Sequence, residues 1–271
     1  MANTCRKLVA IVGGCLAAVM LPAQPCQASL VVNGTGTGTG TPGQALNVRA
    51  TFDFTTHNFG AGAVDALKIT LENLGPDPTM FRGNLITGLF FNFVGVGALD
   101  TTSTGFDGLA PSVFTTTGGA TVSNKDIAPA INNTATDGTF QLSNGPFGLS
   151  NGGVSYSAYS HGISTVGAGL TGFNGSAVNG DDYGIATTDA VLTNDGLPSA
   201  LPVINGSAMF WLKKTTDMVS LSQIDKVRFS FGSKPDHQIS VAVPEPSAFL
   251  FGGMVSLAVG GVITLRRKLS R

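Results

Sequence analysis

Apolar and polar residues alternate with a period of two in several separate stretches of this chain, and no amphipathic stretch of helical period and useful length stands between them. Leu46, Val48, Ala50, Phe52 and Phe54 interleave with Asn47, Arg49, Thr51 and Asp53, which predicts a strand buried on one face. Val64 to Glu72 repeats the pattern. Leu67, Ile69 and Leu71 are assigned to a core, Lys68, Thr70 and Glu72 to water, and Gly75-Pro76-Asp77-Pro78 to the closing turn. Leu89, Phe91 and Phe93 mark a third strand, Ala208 to Leu212 a fourth with Trp211 assigned to the core, and Val227, Phe229 and Phe231 a last one before Gly232.

Between these segments, Asp100 to Gly206 is rich in Gly, Thr, Ser and Asn, with short apolar islands at Thr139-Phe140-Gln141-Leu142 and Val154-Ser155-Tyr156. Short strands joined by long loops are expected there. Frequent Gly and Pro punctuation and the abundance of Thr and Phe predict an all-β fold, a single antiparallel β-sandwich over residues 46–242. A β-solenoid is the competing architecture, and no fixed-period repeat supports it. Asn33 to Gly43 is a Gly-Thr run without apolar side chains, so residues 29–45 are expected to form a flexible leader.

The two ends follow different rules. Arg6 and Lys7 precede an apolar stretch from Leu8 to Leu21, Pro22 interrupts it, and Cys26-Gln27-Ala28 places small residues where signal peptidase reads. Residues 1–28 are therefore read as a secretory signal cleaved after Ala28. A lipoprotein signal ending at Cys15 would leave too short an apolar region. At the other end, residues 243–247 read Val-Pro-Glu-Pro-Ser, and residues 247–265 carry no charge. As a helix that run would rise about 28 Å, close to the hydrocarbon thickness of a bilayer. Arg266, Arg267 and Lys268 follow at once within the basic tail 266–271, which sets the tail cytoplasmic and everything before the span outside the inner membrane. Gly252, Ser256, Gly260 and Thr264 recur every four residues and would give the span one small-residue face.

The box Pro244-Glu245-Pro246, the uncharged span and the basic tail, in that order, resemble the PEP-CTERM sorting signal of exosortase-dependent bacterial surface proteins. The resemblance implies a transient inner-membrane anchor, removed by an exosortase-like protease. Pro244 and Pro246 donate no backbone hydrogen bond and favour extended geometry, which suits an accessible strip above the membrane. A plain anchor with a rigid spacer is the alternative. A second resemblance rests on Leu67 to Asn73, Leu85 to Phe91 and Ile224 to Gly232, which are similar in order and spacing to an ectodomain recurrent among such proteins. Phe229-Ser230-Phe231-Gly232-Ser233 departs from that family's usual Phe-Gln-Tyr-Gly-Thr. The family carries no enzymatic activity.

Charge and cysteines narrow the chemistry. Six of the fifteen Lys and Arg residues and one acid, Glu245, lie in the two ends, so residues 29–243 carry nine basic and fifteen acidic groups, a net of about −6. A nucleic-acid partner is excluded by that field and by the lack of a basic stripe. Cys5, Cys15 and Cys26 all fall in the signal, which leaves the mature chain without disulfides, thiolate metal sites or a cysteine nucleophile.

Candidate sites are few. Gly148-Leu149-Ser150-Asn151-Gly152 fits the Gly-x-Ser-x-Gly elbow, yet a strand-like segment follows where the elbow needs a helix, so Ser150 is read as a turn residue. Gly167-Ala168-Gly169-Leu170-Thr171-Gly172 fits a dinucleotide fingerprint without its βαβ setting. His57, His161 and His237 show no metal-ligand spacing and are read as solvated or hydrogen-bonded loop residues. Glu72 is the only glutamate outside the ends, which leaves little for a glycosidase pair. Asp181 and Asp182, on a Gly-rich turn, offer oxygen ligands to Ca²⁺ or form an acidic solvated turn, without the alternating ligands of a built site. For sugar stacking, Tyr156, Tyr159 and Tyr183 are the candidates.

The expectation is a non-enzymatic, cofactor-free exported protein, processed by signal peptidase and an exosortase-like protease. Its expected role is structural or adhesive at the cell surface or in an exopolysaccharide or biofilm matrix. The alternative is a secreted carbohydrate-binding module.

Overall fold

The computed structural model describes residues 29–38, 43–75, 79–80, 82–94, 99, 105–115, 122–126, 130–131, 140–150, 153–166, 170–171, 173, 183–188, 191–192, 202–214, 220–233 and 237–243. The fold is all-β, and among the described residues the only helical turns are two short 3₁₀ segments. In chain order the strands are β1 (Leu30–Thr37), β2 (Ala45–Asn58), β3 (Ala63–Asn73), β4 (Thr79–Met80), β5 (Ile86–Phe93), β6 (Phe106–Thr115), β7 (Val122–Asp126) and β8 (Ala130–Ile131). They continue with β9 (Gln141–Asn144), β10 (His161–Ser164), β11 (Ile185–Ala186), β12 (Val191–Leu192), β13 (Pro202–Asn205), β14 (Ser207–Lys213), β15 (Ile224–Phe231) and β16 (His237–Ala242).

Among the described residues fourteen strands share one hydrogen-bonded sheet, in the order β1-β2-β3-β14-β6-β13-β11-β5-β10-β9-β8. β15 branches from β5 and carries β16, and β7 lies on β6. The alternation read from the sequence places the core: Val48, Ala50 and Phe52 of β2 and Leu67, Ile69 and Leu71 of β3 are fully or almost fully buried. The sheet doubles back, so that Phe52 meets Phe91 of β5 edge to face with ring centroids 5.7 Å apart. One bend is visible in the register. β6 pairs with β14 up to Leu109 and with β13 from Val113, and Gly206 joins β13 to β14 at φ 74°. That left-handed conformation favours glycine, and Pro111, which has no N–H to give, sits where β6 changes partner.

Four expectations are corrected. The pairing is not purely antiparallel: β11 runs parallel to β13, β8 to β9, and β12 to β4 outside the main sheet. The first two pairs are joined by 187–201 and 132–140, both longer than a two-residue hairpin turn. The middle of the chain holds a ten-residue strand, β6, as well as short ones. β15 is not the last strand, because β16 pairs along it from Phe231↔His237 to Lys226↔Ala242. Finally, the Gly-Thr run is not a leader over Asn33 to Thr37. It belongs to β1, which pairs with β2 at all eight positions from Leu30↔Phe52 to Thr37↔Ala45.

The physical reason lies in the alternation Gly34-Thr35-Gly36-Thr37, which has the strand period with glycine as its inward residue. A Cβ on Gly34 would lie 2.9 Å from Ile239 Cγ2 and 3.0 Å from Val48 Cγ2, and one on Gly36 would lie 3.0 Å from Ile239 Cδ1. Glycine lets β16 close over β1. Gly34→Val is therefore expected to destabilise by about 1 to 3 kcal/mol through overpacking, while Thr35→Val on the exposed face changes little. Urea unfolding of the two variants checks this; equal midpoints would return the segment to a leader.

Both faces of β5 are buried. Leu89, Phe91 and Phe93 enter the main core, and Phe90, on the other face, anchors a second cluster with Phe147, Tyr156, Tyr159, Leu170 and Phe173. Asn73 closes the end of β3. Its Nδ2 donates to Ile185 O at 2.9 Å and Asn84 O at 3.3 Å, tying β3 to β11 and to the turn before β5.

Candidate functional site

The sorting residues Pro244, Glu245, Pro246, Arg266, Arg267 and Lys268, the cleavage position Ala28 and the pair Asp181 and Asp182 lie outside the described residues. Their nearest described neighbours are informative. Val243 N donates to Asp225 O at 2.9 Å, so β16 is fastened one residue before Pro244. Tyr183, directly after the acidic pair, holds φ 59° with its N–H on Pro202 O at 2.7 Å. Among the described residues no helix is long and apolar enough to cross a membrane, and no group of three or more His, Cys, Asp or Glu residues could hold a metal.

The aromatic assignments reverse. Tyr156, Tyr159 and Tyr183 keep 0 %, 5 % and 8 % of their surface, too little to stack a sugar. Tyr156 and Tyr159 belong to the cluster on Phe90, and Arg228 of β15 seals them: its guanidinium lies 4.6 Å and 4.8 Å from their ring centroids. Arg228 also donates to Ser155 O at 2.6 Å and Ser240 Oγ at 2.9 Å, which ties Ser155, next to Tyr156, to the sheet.

Trp211, assigned to the core from its apolar neighbours, is half-buried on the opposite face of β14 from Ala208, Phe210 and Leu212. Strict period two required this. The His57 ring stacks on Trp211 at 4.6 Å and 13°, and Phe59 meets His57 edge-on at 4.8 Å. His57 Nε2 lies 2.5 Å from Asp107 Oδ2. In register across the sheet, Asp53, Lys68, Trp211 and Asp107 form one row over β2, β3, β14 and β6. His57 covers one face of the indole, and the row sets Trp211 between the Asp107 carboxylate and the Lys68 ammonium group. No family model, curated protein or solved structure matches this chain.

The remaining residues take structural places. Ser150 accepts from Val154 N through its Oγ at 3.2 Å, and its carbonyl accepts from Gly153 N at 2.9 Å, which makes it a turn residue as expected. Glu72 lies on the polar face of β3 and receives Arg49 in a two-pronged pair, Nε to Oε2 at 2.6 Å and Nη2 to Oε1 at 2.8 Å. That pairing raises the Arg49 pKa. His237 is exposed at the start of β16. His161 is neither solvated nor in a loop: it is buried in β10, stacked on Phe91 at 5.3 Å and 16°. Its Nε2 accepts from Leu99 N at 3.4 Å, which leaves Nδ1 to donate to Ser160 Oγ at 2.8 Å. Loss of hydration lowers its pKa to about 4, so it is neutral at pH 7.

Proposed function

We propose that the chain is an exported, non-enzymatic surface or matrix protein, delivered by a signal peptide ending at Ala28 and held for a time in the inner membrane by a helix over residues 247–265. An exosortase-like protease then releases it by removing the segment behind Pro244-Glu245-Pro246. The observation that supports this reading is the position of the box. It follows Val243 directly, and Val243 is the last described residue tied into the sheet. Trimming behind the box therefore removes no residue of either core. A cysteine-free mature chain suits a fold held by core packing in any redox compartment. We infer also that the two arms of the doubled-back sheet act as the layers of a β-sandwich.

The role that follows is structural or adhesive, among exopolysaccharide or in a biofilm. Deletion of the gene is expected to weaken cell aggregation or biofilm cohesion while leaving growth on soluble carbon sources unchanged. A growth defect on a polymeric substrate, with cohesion intact, would contradict it.

The second reading, a carbohydrate-binding module, is favoured by the Trp211 row and not by the tyrosines. In that reading Trp211→Ala removes saturable binding to a purified neutral glycan, a loss of about tenfold or more in affinity, with the melting temperature little changed. Titration calorimetry checks it. Binding that survives Trp211→Ala would remove the row as its site.

A further inference from the structure

We infer that the tip of the β2–β3 hairpin, residues 59–64, sits in the lipid surface of the membrane that holds the chain, a contact that rests on the reading of 247–265 as its anchor. The two ends of the fold set the geometry. β1 finishes where β16 starts: Thr35–Gly38 and His237–Ser240 line one cleft, so Leu30 and Val243 lie at the other end of the fold. The signal read over 1–28 and the box at 244–246 adjoin the fold at that one end, which therefore faces the membrane. The hairpin reaches further the same way. β1 covers β2 only as far as Phe52, and β2 continues six residues to Asn58, paired with β3 up to Asn58↔Ala63. Phe52 meets Phe91, which is in register with Val227, and Val227 lies opposite Val241. From that level Val243 is two residues on and Asn58 is six, so the hairpin overhangs Val243 by about 13 Å at a rise of about 3.3 Å per residue. The chain from Val243 to Ser247 reaches at most about 14 Å fully extended. The tether barely matches the overhang, so a helix entering the membrane at Ser247 brings the tip to the same surface.

The chemistry of the tip fits that surface. Phe59-Gly60-Ala61-Gly62-Ala63-Val64 carries no charge, and all of it but Phe59 is exposed. A Cβ on Gly60 or Gly62 would meet nothing within 4 Å, so no part of the fold covers the turn. Gly60 N and Gly62 N both donate to Asn58 Oδ1, at 2.9 Å and 3.1 Å. Two amides of the turn are thus bonded before they leave water, which lowers the cost of entering lipid. Val94, which follows Phe93 at the same end, keeps 52 % of its surface. Behind the tip, Lys213 stands in register with Ala66, and Lys214 N donates to Asp65 O at 3.0 Å. An uncharged apolar tip with lysines a few residues behind it is the arrangement of a segment that lies in the membrane interface, where the ammonium groups meet lipid phosphates.

The test is photolabelling of the full wild-type chain in vesicles of phosphatidylethanolamine and phosphatidylglycerol that contain a phospholipid with a diazirine in its acyl chain, the adducts being mapped by peptide mass. Adducts are expected in 247–265 and in 59–64, and not at Leu74, which keeps 43 % of its surface at the opposite end of β3. In the double variant Ala61→Asp/Val64→Asp, adducts at the tip are expected to fall at least about fivefold relative to those of the span, because carboxylates resist entry into lipid. Both positions are exposed, so the fold is expected to persist, and an unchanged melting temperature checks it. Adducts in the span with none at the tip would overturn the proposal and leave the anchor standing. Adducts at the tip with none in the span would support the lipid contact and remove the anchor, and label in neither would overturn both. Tip adducts that the two acids leave unchanged, or that appear equally at Leu74, would also overturn the proposal.

Discussion

Acidification from pH 6.5 to about 4 is expected to destabilise the fold by about 3 kcal/mol through His161 alone. In the unfolded chain the imidazole takes a proton near pH 6.5, whereas in the fold burial beside Phe91 holds its pKa at about 4. Between those values the unfolded state binds more protons, so stability falls as pH falls; above about pH 6.5 both states are neutral and the group is silent. The slope within the window approaches about 1.4 kcal/mol per pH unit. His161→Gln retains an acceptor for Leu99 N and a donor for Ser160 Oγ without the titration. Urea midpoints at pH 7 and pH 4.5 are expected to separate widely for the wild type and much less for the variant. His57 and His237 are present in both proteins and cancel in the comparison. Equal pH dependence in the two would contradict the buried, neutral placement.

Replacing Asn73 by Leu, which preserves volume, is expected to destabilise by about 2 to 4 kcal/mol. Asn73 is 2 % exposed, and its amide is the donor that Ile185 O and Asn84 O share. Leucine leaves these carbonyls facing an apolar group at the junction of β3, β11 and the turn into β5. The same end of the molecule holds Gly232, whose N–H donates to Leu85 O at 2.9 Å and whose carbonyl accepts from Thr87 Oγ1 at 2.8 Å. The loss is therefore expected to appear as earlier hydrogen exchange in β3, β5 and β15 together. A midpoint shift below about 0.5 kcal/mol would show that the Asn73 bonds do not bear on stability.

Five strands were legible in the sequence because their alternation is carried by large side chains: β2, β3, β5, β14 and β15 lie where Phe52, Ile69, Phe91, Phe210 and Phe229 announce them. β1 has the same period, but beyond Leu30 and Val32 its inward positions are Gly34 and Gly36, and a hydrophobic pattern cannot register positions that carry only hydrogen atoms. β6 is interrupted by Gly108 and Pro111, and its length is set by partners distant in sequence, β14 and β13. The tyrosines were misplaced for a related reason. Leu89, Phe91 and Phe93 mark their strand by period two, which says nothing of Phe90 between them, and nothing local shows that Phe147, Tyr156, Tyr159, Leu170 and Phe173 pack over it. Trp211 could have been placed correctly, because period two sets it opposite Phe210. The contacts of His57 and Asp107 to that face arise from strands fifty residues apart in the chain.

Sorting and trimming stand at the centre of this account, and the intact mass of the protein recovered from the cell surface tests them most directly. The account predicts a chain beginning at Ser29 and lacking Ser247 to Arg271, with the same melting temperature as a longer form, because no described core residue lies beyond Val243. Recovery at the surface of a chain that still ends at Arg271 would contradict it and leave a permanent anchor in place of a sorting signal.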